Sequence, residues 1–406
     1  MKALLIPPAL IPGSIIEDGY LETISIQERL SSLKKNLVWL AIRTRILLDT
    51  LISLKSVSKS IKAFRSLNKL RKETWGGNMK KIYKVDGKYY FNLYTPGWPS
   101  DAYDQLVRNE IRRLSSPVSE LERARFIFLA VTTKCPLRCE HCFEWDNLNQ
   151  KETFSREELI QIVDIFQKEG VNQIHFSGGE PMVRFRDLLE VLRFAALKSE
   201  CYIVTSGFNL TLENACLLKI AGCKGIIVSI DHYIPEMHNR FRQHPEIFYK
   251  AVAGVNASIR SGMVTAISIC ATKEFLDGGH LHPYMQFARS LGVHFVQVLE
   301  PKAVGHYAGK TVMLEERHLT ILEEYFKKAN HDPEYADYPT LMYHGYHQRR
   351  IGCYSGSRSV YVDSAGNVHA CPFCHTHSYN MKDILNATDK SIPVKENICP
   401  RYGRVV

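Results

Sequence analysis

Apolar, β-branched runs return at a regular interval through the middle of the chain, and this beat limits the fold more than any other feature. The runs are Phe126–Val131, Gln173–Phe176, Cys201–Thr205, Gly225–Ile230, Thr265–Cys270 and His294–Leu299. Stretches of helical spacing lie between them, among them Arg156–Glu169 behind a Ser155 N-cap, Phe185–Lys198 and Pro245–Ser261. Six strand–helix alternations predict a parallel sheet with right-handed crossovers. The expected fold is therefore α/β, a partial (β/α)6 TIM-like barrel over residues 125–305. In such barrels the working residues project from loops at the carboxyl ends of the strands.

The chain places its chemistry at those loops. Cys135, Cys139 and Cys142 follow the first strand in the spacing C-x3-C-x2-C. Three thiolates from one loop select zinc, copper or an iron–sulfur cluster over hard cations. A structural zinc or a closed 4Fe–4S cluster takes four ligands. This loop supplies three, which leaves one iron of a cube open to a small molecule. Ser177-Gly178-Gly179-Glu180-Pro181 follows strand two and Thr205-Ser206-Gly207 follows strand three. Ser229 and Asp231 close strand four, Thr272 and Lys273 follow strand five, and Glu300-Pro301 follows strand six. Gly178 and Gly179 let the backbone come close to a ligand, and Pro181 fixes the turn.

With Phe143 directly after the last cysteine, the triplet resembles that of the radical S-adenosylmethionine (radical SAM) superfamily. Gly178-Gly179-Glu180-Pro181 is similar to that family's GGEP motif, and Ser229-Ile230-Asp231 to its S-(I/L)-D segment. The stretch His238–Arg242 is similar to its H-x-x-x-R. The resemblance implies the same barrel and a 4Fe–4S cluster on Cys135, Cys139 and Cys142. It implies SAM at the open iron, cleaved to a 5′-deoxyadenosyl radical that abstracts hydrogen from substrate. It also implies cofactor contacts from Phe143, Gly178, Gly179, Glu180, Pro181, Ser206, Ser229, Asp231 and Arg242, and an electron donor such as flavodoxin or ferredoxin. Thr205-Ser206-Gly207 departs from the more usual T-N-G. A zinc knuckle or redox loop is the bland alternative for the triplet.

A second cysteine group lies near the end. Cys353, twelve residues, Gly366, four residues and Cys371 resemble the signature of SPASM and twitch extensions of that superfamily. Asp363–Asn367 reads as a hairpin turn that brings Cys353 and Cys371 together. Cys374 and Cys399 complete four thiolates, enough for one auxiliary 4Fe–4S cluster, with zinc as the alternative. Residues 306–406 are thus expected to form a small cysteine-rich α+β domain. The remaining cysteines, Cys201, Cys216, Cys223 and Cys270, read as buried apolar residues. His344 and His347, near Tyr343 and Tyr346, are candidates to touch substrate, although aromatic packing explains them too.

Charge is concentrated at the front. Between Leu33 and Lys72, eleven basic residues face Asp49 alone, which accounts for the chain's whole formal excess of +10. Residues from about Ile26 to Leu70 read as one helix within an arm over 1–75. Leu37, Leu40, Thr44, Leu47, Leu48, Leu51 and Leu54 lie near one face. Arg43, Arg45 and Asp49 interrupt it too early for a membrane span, and no signal-peptide cleavage site is evident. The arm is expected to dock on the catalytic domain or a partner, or to lie on an anionic membrane surface with Trp39 at the interface. Few aromatics accompany the cations, so nucleic acid is not an expected partner. A hairpin around Asp86-Gly87 and a helix to about Leu114 make up residues 76–124, expected to cap the barrel.

Eleven cysteines in two clusters do not suit a small secreted disulfide scaffold, and thiolate clusters need a reducing compartment, so a cytoplasmic location is expected, with possible contact at the inner membrane surface. The expected function is radical SAM hydrogen abstraction from a peptide or protein. A membrane lipid or other small molecule is the alternative substrate, and an iron–sulfur or zinc-stabilised interaction protein the non-enzymatic reading.

Overall fold

The computed structural model describes residues 32–78, 81–115, 124–356, 358–375, 377–393, 399 and 401–402. The basic arm is a pair of helices, α1 (Ser32–Leu54) and α2 (Val57–Trp75). The expected single helix breaks at Lys55, whose φ of 47° is left-handed, and Ser56 then caps α2; its first part, residues 26–31, lies outside the described residues. Two small polar residues, Thr50 and Ser60, are fully buried where the helices meet. The Ser60 hydroxyl lies 3.1 Å from the Thr50 carbonyl, so the chain can turn back tightly. Val38, Trp39 and Ile42 are the apolar residues of α1 that bury fully, in a satellite core with Ile82, Phe91, Tyr103, Val107 and Ile111. Of the expected face, Leu37, Leu40, Thr44 and Leu48 point outward while Leu47, Leu51 and Leu54 are half-buried, and Trp39, expected at a membrane interface, instead packs inward on Phe91 with ring centroids 5.1 Å apart.

Strands β1 (Tyr83–Val85) and β2 (Lys88–Tyr90) pair around Asp86-Gly87, both at positive φ, as a two-residue hairpin requires. Helix α3 (Asp101–Ser115) follows.

The barrel strands are β3 (Phe126–Ala130), β4 (Gln173–Ser177), β5 (Glu200–Thr205), β6 (Cys223–Ser229), β7 (Val264–Cys270) and β8 (Phe295–Leu299). They pair in parallel in chain order. Outside them run α4 (Arg156–Lys168), α5 (Phe185–Ala195), α6 (Leu212–Ile220), α7 (Pro235–Arg242) and α8 (Ile247–Arg260). Then come α9 (Lys273–Asp277), α10 (Leu281–Ser290) and α11 (Glu316–His331). Ser155 caps α4 in a reciprocal capping box with Glu158.

Two additions extend the expected six strands. A seventh parallel strand, β9 (Thr340–Tyr343), joins β8 and runs straight into α12 (His344–Ile351). At only four residues it carries too little alternation to stand out. On the opposite edge, β10 (Ser359–Val362) adds in parallel to β3. It continues through antiparallel β11 (Asn367–His369) and β12 (Tyr379–Asn380) to α13 (Met381–Asn386). The cysteine-rich segment therefore shares the barrel's own sheet, whose ten strands stay open in the order β12-β11-β10-β3-β4-β5-β6-β7-β8-β9. No described helix is long and apolar enough to cross a membrane.

Candidate functional site

The loop after β3 gathers Cys135, Cys139 and Cys142 around Leu137, Ile247 and Phe208. Burial pushes all three thiols above the ordinary range, Cys135 to about 12, and each is raised further by a neighbouring cysteine or carboxylate. Such thiols lose their protons when a metal binds and takes the thiolates, which suits a thiolate-held cluster. The Gly178-Gly179 turn lies directly behind this loop. A Cβ on Gly178 would sit 2.6 Å from the Thr132 carbonyl oxygen, and one on Gly179 would sit 2.3 Å from that of Lys134. The amides of Gly179 and Glu180 donate to those same carbonyls, each at 2.8 Å. The cysteine loop itself thus requires glycine at both positions.

Glu180 is almost wholly buried and locks the turn to the end of β5. Its carboxylate accepts from the amides of Met182 (3.0 Å) and Ser206 (2.8 Å) and from the hydroxyls of Thr205 (2.7 Å) and Ser206 (2.5 Å). Pro181 opens the short 3-10 turn that Glu180 caps. Gly178, Gly179, Glu180, Pro181 and Ser206 therefore form the support for the cysteine loop.

Asp231, at the end of β6, and Arg242, at the end of α7, form a buried ion pair with nitrogen–oxygen distances of 2.7 Å. The other Asp231 oxygen accepts from the Cys270 amide at 2.9 Å. Burial alone would raise the Asp231 carboxyl, but Arg242 holds it below its ordinary value. Arg242 Nη1 lies 3.9 Å from Cys139 Sγ, and the carbonyls of Phe241 and Arg242 accept from the amides of Glu140 and Arg138. The end of α7 thus grips the cysteine loop at Arg138–Glu140, while Gly179 and Glu180 hold it at Thr132 and Lys134. Residues that the sequence reading passed over complete the grip. His306 stacks on Trp145 with centroids 3.8 Å apart, and its ring nitrogen lies 2.9 Å from the Cys139 carbonyl. His141 stacks on Phe241, and burial lowers its pKa to about 4. The adjacent Gly305 holds φ +55°, and a Cβ there would meet the Cys142 carbonyl at 2.3 Å, so the turn that carries His306 lies hard against the cysteine loop.

A cavity of about 470 Å³ runs from this site into the barrel. Phe143, Ser229, Asp231 and Arg242 line one end. Tyr94, from the loop after β2, reaches into the barrel, stacks on His175 and is hydrogen-bonded to Gln297. His344 and His347 also line the cavity, and burial lowers His344 to about 4. Lys273 instead pairs with Glu315 at 2.9 Å, and Thr272 caps α9.

The rear cysteines meet on the same cavity. Cys353, Cys374 and Cys399 pack together with Ala370, Cys371 and Tyr402, and Cys374 Sγ lies 3.7 Å from Cys399 Sγ. Thiol hydrogen bonds from Cys353 to Cys399 and from Cys374 to Cys371 lower the two acceptors and raise the two donors. Arg401 Nη1 adds a cation 3.2 Å from Cys374 Sγ. Four soft donors fit an iron–sulfur cluster or zinc equally in kind. Among the described residues no three His, Cys, Asp or Glu side chains converge closely enough to hold a single ion. Of the scattered cysteines, Cys201, Cys223 and Cys270 are buried as expected, whereas Cys216 is exposed.

Residues 129–273 match the family model described as the radical SAM superfamily. The chain is 27% identical over 227 residues to GTP 3',8-cyclase 1 of Mycobacterium tuberculosis, covering 53% of this chain and 62% of the cyclase. It thus spans about six tenths of that relative's length. It is 25% identical over 283 residues to the AdoMet-dependent heme synthase of Oleidesulfovibrio alaskensis, covering 64% of this chain and 72% of the synthase. Among solved structures, Streptococcus suis SuiB bound to the precursor peptide SuiA superposes with a TM-score of 0.54 at 13% identity, over 82% of this chain and 79% of SuiB. That likeness is one of fold.

Proposed function

Residues 129–273 of this chain are a radical SAM domain, and on that premise we propose that the protein cleaves SAM reductively and abstracts hydrogen from a substrate held between its two cysteine sites. The observation that carries this reading is the single cavity that touches Asp231 and Arg242 at one end and Cys371, Cys374 and Cys399 at the other. Cys135, Cys139 and Cys142 would hold a 4Fe–4S cluster. When that cluster and SAM are bound, they supply hydrogen-abstracting radical chemistry. The chain's own residues bind, orient and exclude water. Arg242 is buried, which alone would lower its pKa, but Asp231 and Cys139 keep it charged, so it offsets negative charge beside the thiolates. Glu180 and Gly179 fix the loop. Phe143 closes the site against solvent by packing on Tyr361 and Phe373.

Cys353, Cys371, Cys374 and Cys399 would hold an auxiliary 4Fe–4S cluster able to accept or pass an electron, with flavodoxin or ferredoxin as the external donor. A peptide or protein substrate is supported by the likeness in fold to SuiB, which binds a precursor peptide. A small-molecule substrate is the second reading, supported by relatives named as GTP 3',8-cyclase and AdoMet-dependent heme synthase and by the apolar residues Phe126, Phe128 and Val204 on the cavity wall. Anaerobic reconstitution with iron and sulfide, followed by dithionite and SAM, tests the core of the proposal. Release of 5′-deoxyadenosine and methionine is expected, and its absence from iron-loaded protein would overturn it.

A further inference from the structure

Helix α1 carries two apolar faces, and the fold uses only one. Val38, Trp39 and Ile42 bury against the segment over 81–111. On the opposite side Leu33, Leu37, Leu40, Leu48 and Ile52 recur at steps of three or four, with Thr44 filling the gap, so they form one stripe along the helix. Leu37 is 57% exposed, Leu40 61% and Ile52 72%. Val57 and Ile61, at the start of α2, carry exposed apolar surface past the turn.

Charge is arranged around this stripe. Arg43 flanks it on α1, and Lys55, Lys59 and Lys62 surround its far end, all exposed. The one acidic residue among them, Asp49, is turned into the core and paired with Arg45 at 3.3 Å. Arg45 also reaches Asp104 of α3 at 2.7 Å. The outer face therefore shows leucines edged by cations, with no carboxylate of α1 on it.

We infer that this face seats the protein on an anionic lipid bilayer, with the leucine stripe in the acyl–headgroup boundary and the lysines on lipid phosphates. Buried leucines and cations near an anionic surface add up to reversible binding without a spanning helix. The inner faces of the same helices contribute Ile46, Leu67 and Leu70 to the wall of the cavity. An apolar chain in the bilayer would thus lie about one helix diameter, ~10 Å, from it. The docking does not depend on the radical chemistry, because it is read without SAM.

The test is co-sedimentation of the full chain with vesicles of mixed phosphatidylglycerol and phosphatidylcholine, compared with phosphatidylcholine alone. Binding should require the anionic lipid and weaken as salt rises. Leu37→Glu, Leu40→Glu and Leu48→Glu combined should reduce it at least about ten-fold while leaving 5′-deoxyadenosine formation unchanged. All three are exposed and belong to no core cluster among the described residues, so the thermal unfolding midpoint should stay within a degree or two of the parent, which confirms folding. Failure of the parent to sediment, or undiminished binding by the triple variant, would overturn the inference. A Leu40→Cys side chain should react quickly with a maleimide in the absence of vesicles and slowly in their presence. Slow labelling without vesicles would assign the stripe to another part of the chain or a second copy, and would equally refute the membrane.

Discussion

Phe143 and Phe373 meet edge to face with ring centroids 5.7 Å apart, and this contact joins the two cysteine sites. Phe143 directly follows Cys142, and Phe373 stands between Cys371 and Cys374. Tyr361 of β10 packs on the other side of Phe143 at 5.6 Å. The contact exists because β10 adds to the edge of β3, which brings the rear hairpin to the loop that leaves that strand. Front and rear thiols therefore share an aromatic wall although Cys142 and Cys353, the two nearest in sequence, lie 211 residues apart.

Cys139→Ala removes the thiol nearest Arg242. SAM cleavage should fall to background, and bound iron should drop by one cluster, about four atoms. Iron and sulfide analysis beside a 5′-deoxyadenosine assay reads both. Unchanged turnover would remove the cluster from this loop.

Cys371→Ala leaves the front site intact. Some SAM cleavage should persist, while bound iron falls and the C-terminal segment becomes more open to protease. Loss of all cleavage in a folded, front-loaded variant would show that the two sites do not work separately.

Gly179→Ala drives a methyl group to 2.3 Å from the Lys134 carbonyl, and backbone cannot yield as a flexible side chain would. The cysteine loop should shift, costing about 2 kcal/mol of stability and at least ten-fold in cluster retention during anaerobic gel filtration. Full retention would mean that the turn does not brace the loop.

Glu300 tests the electrostatics of the cavity wall. It accepts from Tyr343 and pairs with Lys302 (2.8 Å) and Arg349 (2.7 Å). Burial would raise its carboxyl, yet Lys302 and Arg349 pull it from 4.5 down to about 2. A carboxyl depressed in the folded state contributes stability above its unfolded value and loses it as pH falls through the folded one. Unfolding free energy should therefore decline between pH 4.5 and 2, by up to about 3 kcal/mol from this group. Urea titrations of cluster-free protein across the upper part of that window should show a shallower acid slope in Glu300→Gln. Identical slopes would exclude the network as its source.

Much of the site was legible in the chain. The strand–helix beat, the cysteine triplet, the Gly-Gly turn and the Asp86-Gly87 and Asp363–Asn367 turns are local signals, since each depends on residues within a few positions of one another. Strand β9 was not legible, because four residues before a helix hold too little pattern. Neither were the partners of Glu180, whose four donors come from both its own turn and the end of β5. His306 gave no sign either, since its partners Trp145 and the Cys139 carbonyl lie some 160 residues away.

Helix α1 shows where local information ends. Periodicity identifies apolar faces, but it reports spacing on one helix and carries nothing about what covers each face. The sequence by itself determined the barrel beat, the thiol triplet and an amphipathic basic arm, because hydrophobic period and ligand spacing are written in neighbouring residues. The packing of distant segments settled that Trp39 goes inward and Leu37 and Leu40 outward, that the hairpin between the rear cysteines joins the barrel's own sheet, and that one cavity runs from Asp231 and Arg242 to the rear cysteines. Those outcomes depend on contacts between segments far apart in the chain, which exist only once the sheet has set its strand order.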